Sequence, residues 1–250
     1  MTPEQCAAQV LRDFNIVDIP ILHFPRICKE SGIEWEEYPY NDIKYSGALH
    51  KIDGEYYILI NTDCQIPTRI NFTKAHELGH FFLKHPGEKF QCSSNDIFTT
   101  DKANKPFEVE ANRFAAAFLL PQDKMELLIN DDSYDFTTIS GIASSYAASI
   151  QTTVIRTIAF LQGSFMAVWT VNGIVQWATK SPGCKQPTLR KGQPLPPQSI
   201  ACKCFEKSYM PPKDEYIKVP QATWGQTKTS VSEMAVPFKN INATLSLVRW

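Results

Sequence analysis

No stretch of this sequence stays apolar for the ~18 residues that a membrane helix needs. The longest run lies around Ala115–Leu120, so no membrane association is expected. Positive charge is not in excess either. The 25 Lys+Arg stand against 26 Asp+Glu, a formal net charge of −1, which excludes the basic profile of a dedicated nucleic-acid binder. The first twenty residues carry Glu4, Arg12, Asp13 and Asp18 and lack the apolar core of a secretory signal. A disulfide framework is missing as well. Cys6, Cys28, Cys64, Cys92, Cys184, Cys202 and Cys204 are an odd, scattered set in 250 residues, a length that buries a core without staples. They read as reduced thiols of a cytoplasmic protein.

What the sequence does have is a sharp change of character part-way along. Residues 1–162 hold 14 Lys+Arg and 22 Asp+Glu, a net of −8, whereas residues 163–250 hold 11 and 4, a net of +7. The second part also holds nine of the 17 prolines, among them Pro194, Pro196 and Pro197. Proline breaks helices, so helix is expected before about residue 162 and strands or loops after it. Pro3–Phe14 has helical apolar spacing, and Pro20–Ser31 reads as a second helix closed by Gly32. Ile33–Tyr40 and Tyr45–Lys51 alternate as strands. Asp53-Gly54 is a two-residue hairpin signal returning into the strand Glu55–Asn61. Asn172-Gly173 marks a second hairpin.

The chemistry is concentrated in a helix expected from near Pro67 to the stop at Pro86-Gly87. It contains His76-Glu77-Leu78-Gly79-His80. Four helical residues turn about 400°, so the two imidazoles share a face one turn apart and can grip one ion. Glu77 is too close in sequence to be a good third ligand, but suits a general base for a water at that ion. Two histidines and one further ligand leave Zn²⁺ an open position. The longer HExxHxxGxxH pattern is excluded, because Leu83 and Pro86 stand where it needs Gly and His. Phe107–Pro121 supplies carboxylates instead. Glu108 and Asn112 share a helix face with Ala111 and Ala115, small residues that permit close helix approach. Glu110 points about 200° away. Glu108 is therefore the expected ligand and Asn112 the group orienting a histidine, with Glu110 paired to Arg113 three residues on. His85 reads as a capping or packing residue at the helix C-terminus, His23 and His50 as surface residues, and Cys184, Cys202 and Cys204 as packed or free thiols. Zn²⁺ and Mn²⁺ both suit a His₂-carboxylate set, and one ion is expected. The electrophile that would assist the reaction stays open among Tyr45, Tyr56, Arg113 and His85.

Three blocks in order resemble the ImmA/IrrE-type metallopeptidases: Ser46-Gly47-Ala48-Leu49 with EYYILIN, then the run from Arg69 to His80 with Leu83 and His85, then Glu108 to Pro121. The resemblance covers about residues 16–162. It implies an α+β, zincin-like fold with a carboxylate third ligand, and a cytoplasmic protease that cuts helix-turn-helix repressors in gene regulation and stress response. On this reading residues 1–130 form the zincin-like domain. Residues 131–162 form a helix-turn-helix-like pair with Ser149 as an N-cap, and residues 163–250 a β-rich C-terminal domain. Arg156 is the pair's one basic residue, so no direct nucleic-acid binding is expected of it. Ser46 and Gly47 are candidate substrate-binding residues, on a strand that could take a peptide by strand addition. The competing expectation is a metal-binding regulatory module that grips a repressor or toxin without cutting it.

Overall fold

The computed structural model describes residues 1–42, 45–86, 89–93, 106–207, 209–225 and 230–250. It is a mixed α+β chain with two sheets, and its contacts divide into two compact units: Met1–Lys124 with Ile142–Thr153, and Met125–Gly141 with Val154–Trp250.

In the first unit, helix α1 (Pro3–Asp13) starts at a capping box. The Thr2 side chain accepts from the Gln5 backbone N–H, and the Gln5 side chain from the Thr2 N–H. A 3-10 turn (Pro20–His23) leads into α2 (Phe24–Ser31), which Gly32 ends in the left-handed conformation. The sheet contains β1 (Ile33–Tyr38), β2 (Tyr45–Ile52), β3 (Glu55–Asn61) and β4 (Lys89–Ser93), in the order β1-β3-β2-β4. Asp53 and Gly54 both take positive φ, at 52° and 92°. This joins β2 and β3 in the tight hairpin that the Asp-Gly pair signals. Helices α3 (Pro67–Phe82) and α4 (Pro106–Leu119) pack on each other, and α3 also lies against β2 and β3.

Helices α5 (Gln122–Leu128), α6 (Phe136–Ser145) and α7 (Ile150–Thr157) follow, each divided between the two units. Ser149 caps α7 as expected, its hydroxyl accepting from the Thr152 N–H at 3.0 Å. The second unit is built on an antiparallel sheet of β5 (Phe165–Val171), β6 (Ile174–Lys180), β7 (Ile217–Val219), β8 (Val231–Phe238) and β9 (Ala243–Arg249), ordered β6-β5-β9-β8-β7. Asn172-Gly173 turns β5 into β6. No helix among the described residues is long and apolar enough to cross a membrane.

One element corrects the expectation of strands and loops alone after residue 162: helix α8, Ile200–Lys207. Its start is held from a distance. Glu233 on β8, with no exposure, accepts from the Ile200 N–H (2.7 Å), the Ala201 N–H (2.9 Å), the Trp224 indole (2.9 Å) and the Ser246 hydroxyl (3.0 Å). A carboxylate at a helix N-terminus meets unpaired N–H groups and the positive end of the dipole. Burial nevertheless pushes its carboxyl above the ordinary range, against the pull of those donors. Cys202 and Cys204 sit on this helix as buried cysteines outside any disulfide, and the buried Cys184 is outside one as well. Replacing Glu233 with Gln sets an amide donor against N–H groups that need an acceptor. We expect it to cost about 2–4 kcal/mol of stability in urea unfolding; a loss under about 0.5 kcal/mol, the scale of a neutral surface change, would show the cap to be dispensable.

Candidate metal centre

Pro67 occupies the first turn of α3, where a missing N–H costs nothing. The helix then carries His76, Glu77 and His80 to a depth where their exposures are 0%, 0% and 1%. The two imidazoles meet at Nε2, 2.9 Å apart. Glu108, on the first turn of α4, brings Oε2 to 3.2 Å from His76 Nε2 and Oε1 to 3.5 Å from His80 Nε2. The ligand atoms of these three residues all lie within 4.8 Å of one another. The close approach depends on small residues. A Cβ on Gly79 would stand 3.2 Å from the Ala111 Cα and 3.1 Å from the Phe114 ring.

The surroundings fit a divalent cation. Asn112 Oδ1 lies 2.9 Å from His76 Nδ1. A carbonyl oxygen only accepts, so Nδ1 carries the proton and Nε2 presents its lone pair. Burial pushes His80 down to about 4 against the pull of Glu108, so it is neutral at pH 7. Burial alone would raise Glu108, but its neighbours His76 and His80 outweigh it and hold its carboxyl well below the usual range. The set is two ring nitrogens and a carboxylate oxygen, donors suited to Zn²⁺ and neighbouring transition metals.

Glu77 differs from the other three. Neither of its oxygens has a hydrogen-bond partner among the described residues. Burial and the Glu108 charge push its carboxyl well above the usual range, and the Leu49 backbone opposes them weakly. An unpaired buried carboxylate is costly, and a cation beside it would lower that cost.

Several expectations are corrected here. Glu110 does not pair with Arg113. Arg113 forks onto Glu4 of α1 (2.8 and 2.9 Å), and Glu110 Oε2 lies 3.1 Å from His85 Nε2. The neighbouring helix and the chain beyond α3 offered closer partners than the same helix did. His85 takes the packing role of the two expected of it, a buried ring 2.9 Å by its Nδ1 from His80 Nδ1. Strand addition to β2 is also ruled out, because β2 is an inner strand paired to β3 on one edge and β4 on the other. Ser46 accepts from Arg69 at 3.1 Å, and Gly47 lies against the Glu77 carboxylate. Of the candidate electrophiles, Tyr56 packs on Phe81, Tyr45 on Tyr40, and Arg113 is engaged with Glu4.

Residues 28–157 match the Peptidase M78 family, described as the IrrE N-terminal-like domain. The chain belongs to that family. Among solved structures, a Mycobacterium tuberculosis transcriptional regulator shares the fold, with a TM-score of 0.60 at 15% identity over 99% of this chain and 75% of that one. No curated protein matches the chain. In this M78 member, the space beside Glu77 depends on Gly47. A Cβ there would come 2.5 Å from Thr73 Cγ2, 3.0 Å from the Leu59 carbonyl and 3.2 Å from Glu77 Oε1. Gly47→Ala is expected to cost about 1–3 kcal/mol in thermal or urea unfolding; an unchanged midpoint would mean that the strand and helix can part freely.

Proposed function

We propose that this chain is a zinc-dependent endopeptidase that hydrolyses a peptide bond in a regulatory protein. His76, His80 and Glu108 hold the ion, Asn112 keeps His76 in its ligating tautomer, and Glu77 is the general base. One observation carries the reading: a fully buried carboxylate without a hydrogen-bond partner among the described residues, on the same helix turn as two convergent imidazoles. A module that only grips metal needs three ligands and has no use for a fourth group held at such cost.

Bound at these residues, Zn²⁺ supplies positive charge that acidifies water and polarises a carbonyl. Mn²⁺ suits the same donors less selectively. The chain's own residues do the proton work. Glu77 takes the proton from the attacking water and returns it to the departing amine nitrogen. Its high proton affinity equips it for the second step, and the charge of a neighbouring cation tempers it for the first. A substrate peptide would lie along β4 rather than β2, because among the described residues β4 is an outer strand and pairs directly with β2.

A helix-turn-helix repressor is the substrate that the family resemblance implies, and a fold shared with a transcriptional regulator is in keeping with it. We place the protein in the cytoplasm, where such substrates are found. All the residues named lie within 1–130, which we assign as the hydrolytic domain, with 131–162 as a packing pair and 163–250 as a β-rich domain whose compact unit also takes in residues 125–141 and 154–162.

Zinc-loaded wild type and Glu77→Gln, incubated with extract of the source cells, should differ in the new protein N-termini they create. We expect wild type to generate them in a DNA-binding repressor and Glu77→Gln to be slower by about 10²–10⁴-fold, with equal metal content. Equal cleavage by both would remove Glu77 from the mechanism. Metal bound without cleavage by either would favour the non-proteolytic module.

A further inference from the structure

His85 and Glu110 have no part in the chemistry above, yet they form a continuous chain of contacts with it. Glu110 Oε2 lies 3.1 Å from His85 Nε2, and His85 Nδ1 lies 2.9 Å from His80 Nδ1. We propose that Glu110 and His85 are positioning residues that fix His80 as a metal ligand.

The relay runs inward from the surface. Glu110 is half-exposed, and its carboxylate can only accept, so His85 Nε2 carries the proton. The other nitrogen of that ring, Nδ1, then has a lone pair and accepts from His80 Nδ1. His80 is thereby protonated at Nδ1 and presents its Nε2 lone pair to His76 and Glu108. Reversing any link would put a proton on His80 Nε2, where it would block ligation. Asn112 does for His76 what this two-residue relay does for His80.

The backbone is bent to make the relay. Lys84 adopts left-handed φ of 54°, a conformation that costs a residue with a Cβ about 1 kcal/mol. The Lys84 N–H donates to the Phe81 carbonyl and the His85 N–H to the His80 carbonyl, the paired bonds of a Schellman ending. That reversal swings His85 back over the last turn of α3. There its ring stands edge-on to His80, with centroids 4.9 Å apart, and packs against Phe107 at 4.8 Å. A ring serving only as apolar filling would have no need of a carboxylate at its far nitrogen.

This inference rests on the metal-centre reading, and metal affinity separates the two. Zn²⁺ dissociation constants would be measured by competition with a chromophoric chelator for wild type, His85→Leu, His85→Asn, Glu110→Ala and the double variants His85→Leu/Glu110→Ala and His85→Asn/Glu110→Ala. The metal-free melting temperature serves as the check on folding. We expect His85→Leu to weaken binding about 10–100-fold, the cost of losing an outer partner of a ligating histidine. His85→Asn should recover most of the affinity, since its side-chain carbonyl accepts from His80. Glu110→Ala should weaken binding in wild type but add nothing in either His85 background, because Glu110 acts through His85. Wild-type affinity in His85→Leu, or additive losses in either double variant, would overturn the relay while leaving the metal centre intact. If His85→Leu does not fold, the Glu110→Ala effect in the wild-type and His85→Asn backgrounds decides the matter. No Zn²⁺ binding by wild type would overturn both readings.

Discussion

The close crossing of α3 and α4 is the constraint on which the site depends. Glu108 reaches two histidines on another helix only because Gly79 presents no side chain where the Ala111 backbone passes. A larger residue at either position would push the helices apart. The ligand distances of 3.2 and 3.5 Å would then open beyond what one ion can span. The sheet closes the other side. Gly47 on β2 leaves room for the Glu77 carboxylate and backs it with strand rather than solvent. Two missing side chains therefore set the dimensions of the centre.

Within that space the polar groups divide into two kinds. His76 and His80 are oriented from behind, by Asn112 at one Nδ1 and by His85 at the other, so that both Nε2 atoms face Glu108. Glu77 has no such support among the described residues. Oriented groups hold a ligand in place, whereas a group left without a partner is available to exchange a proton. This contrast, more than the presence of the pentapeptide, is what supports the proposed hydrolytic role over a structural metal clamp.

Much of this was legible in the residues themselves. Pro67, the four-residue spacing of His76 and His80, and the shared face of Glu108 and Asn112 are local patterns with one geometric consequence each. So are Asp53-Gly54 and Asn172-Gly173, whose positive φ values admit little but a tight turn. What escaped was decided by partners far away in sequence. Helix α8 follows a proline-rich stretch, and its N-terminal amides are held by Glu233 from β8. Arg113 turned from Glu110 to Glu4, 109 residues distant. The β2 strand looked like an open edge because nothing in Lys89–Ser93 announced a strand that would pair with it. The partners of His85 stayed hidden because helix periodicity stops at the helix end, and the left-handed Lys84 that redirects it carries no glycine signature.

The most direct test is the Zn²⁺ affinity of wild type against Glu108→Ala, measured by titration calorimetry on the whole chain. His76, His80 and Glu108 acting together predict one ion per wild-type chain, and a loss on removing Glu108 beyond the about 100-fold that an outer contact costs. An unchanged affinity in Glu108→Ala, or no ion bound by wild type, would contradict the account at its centre.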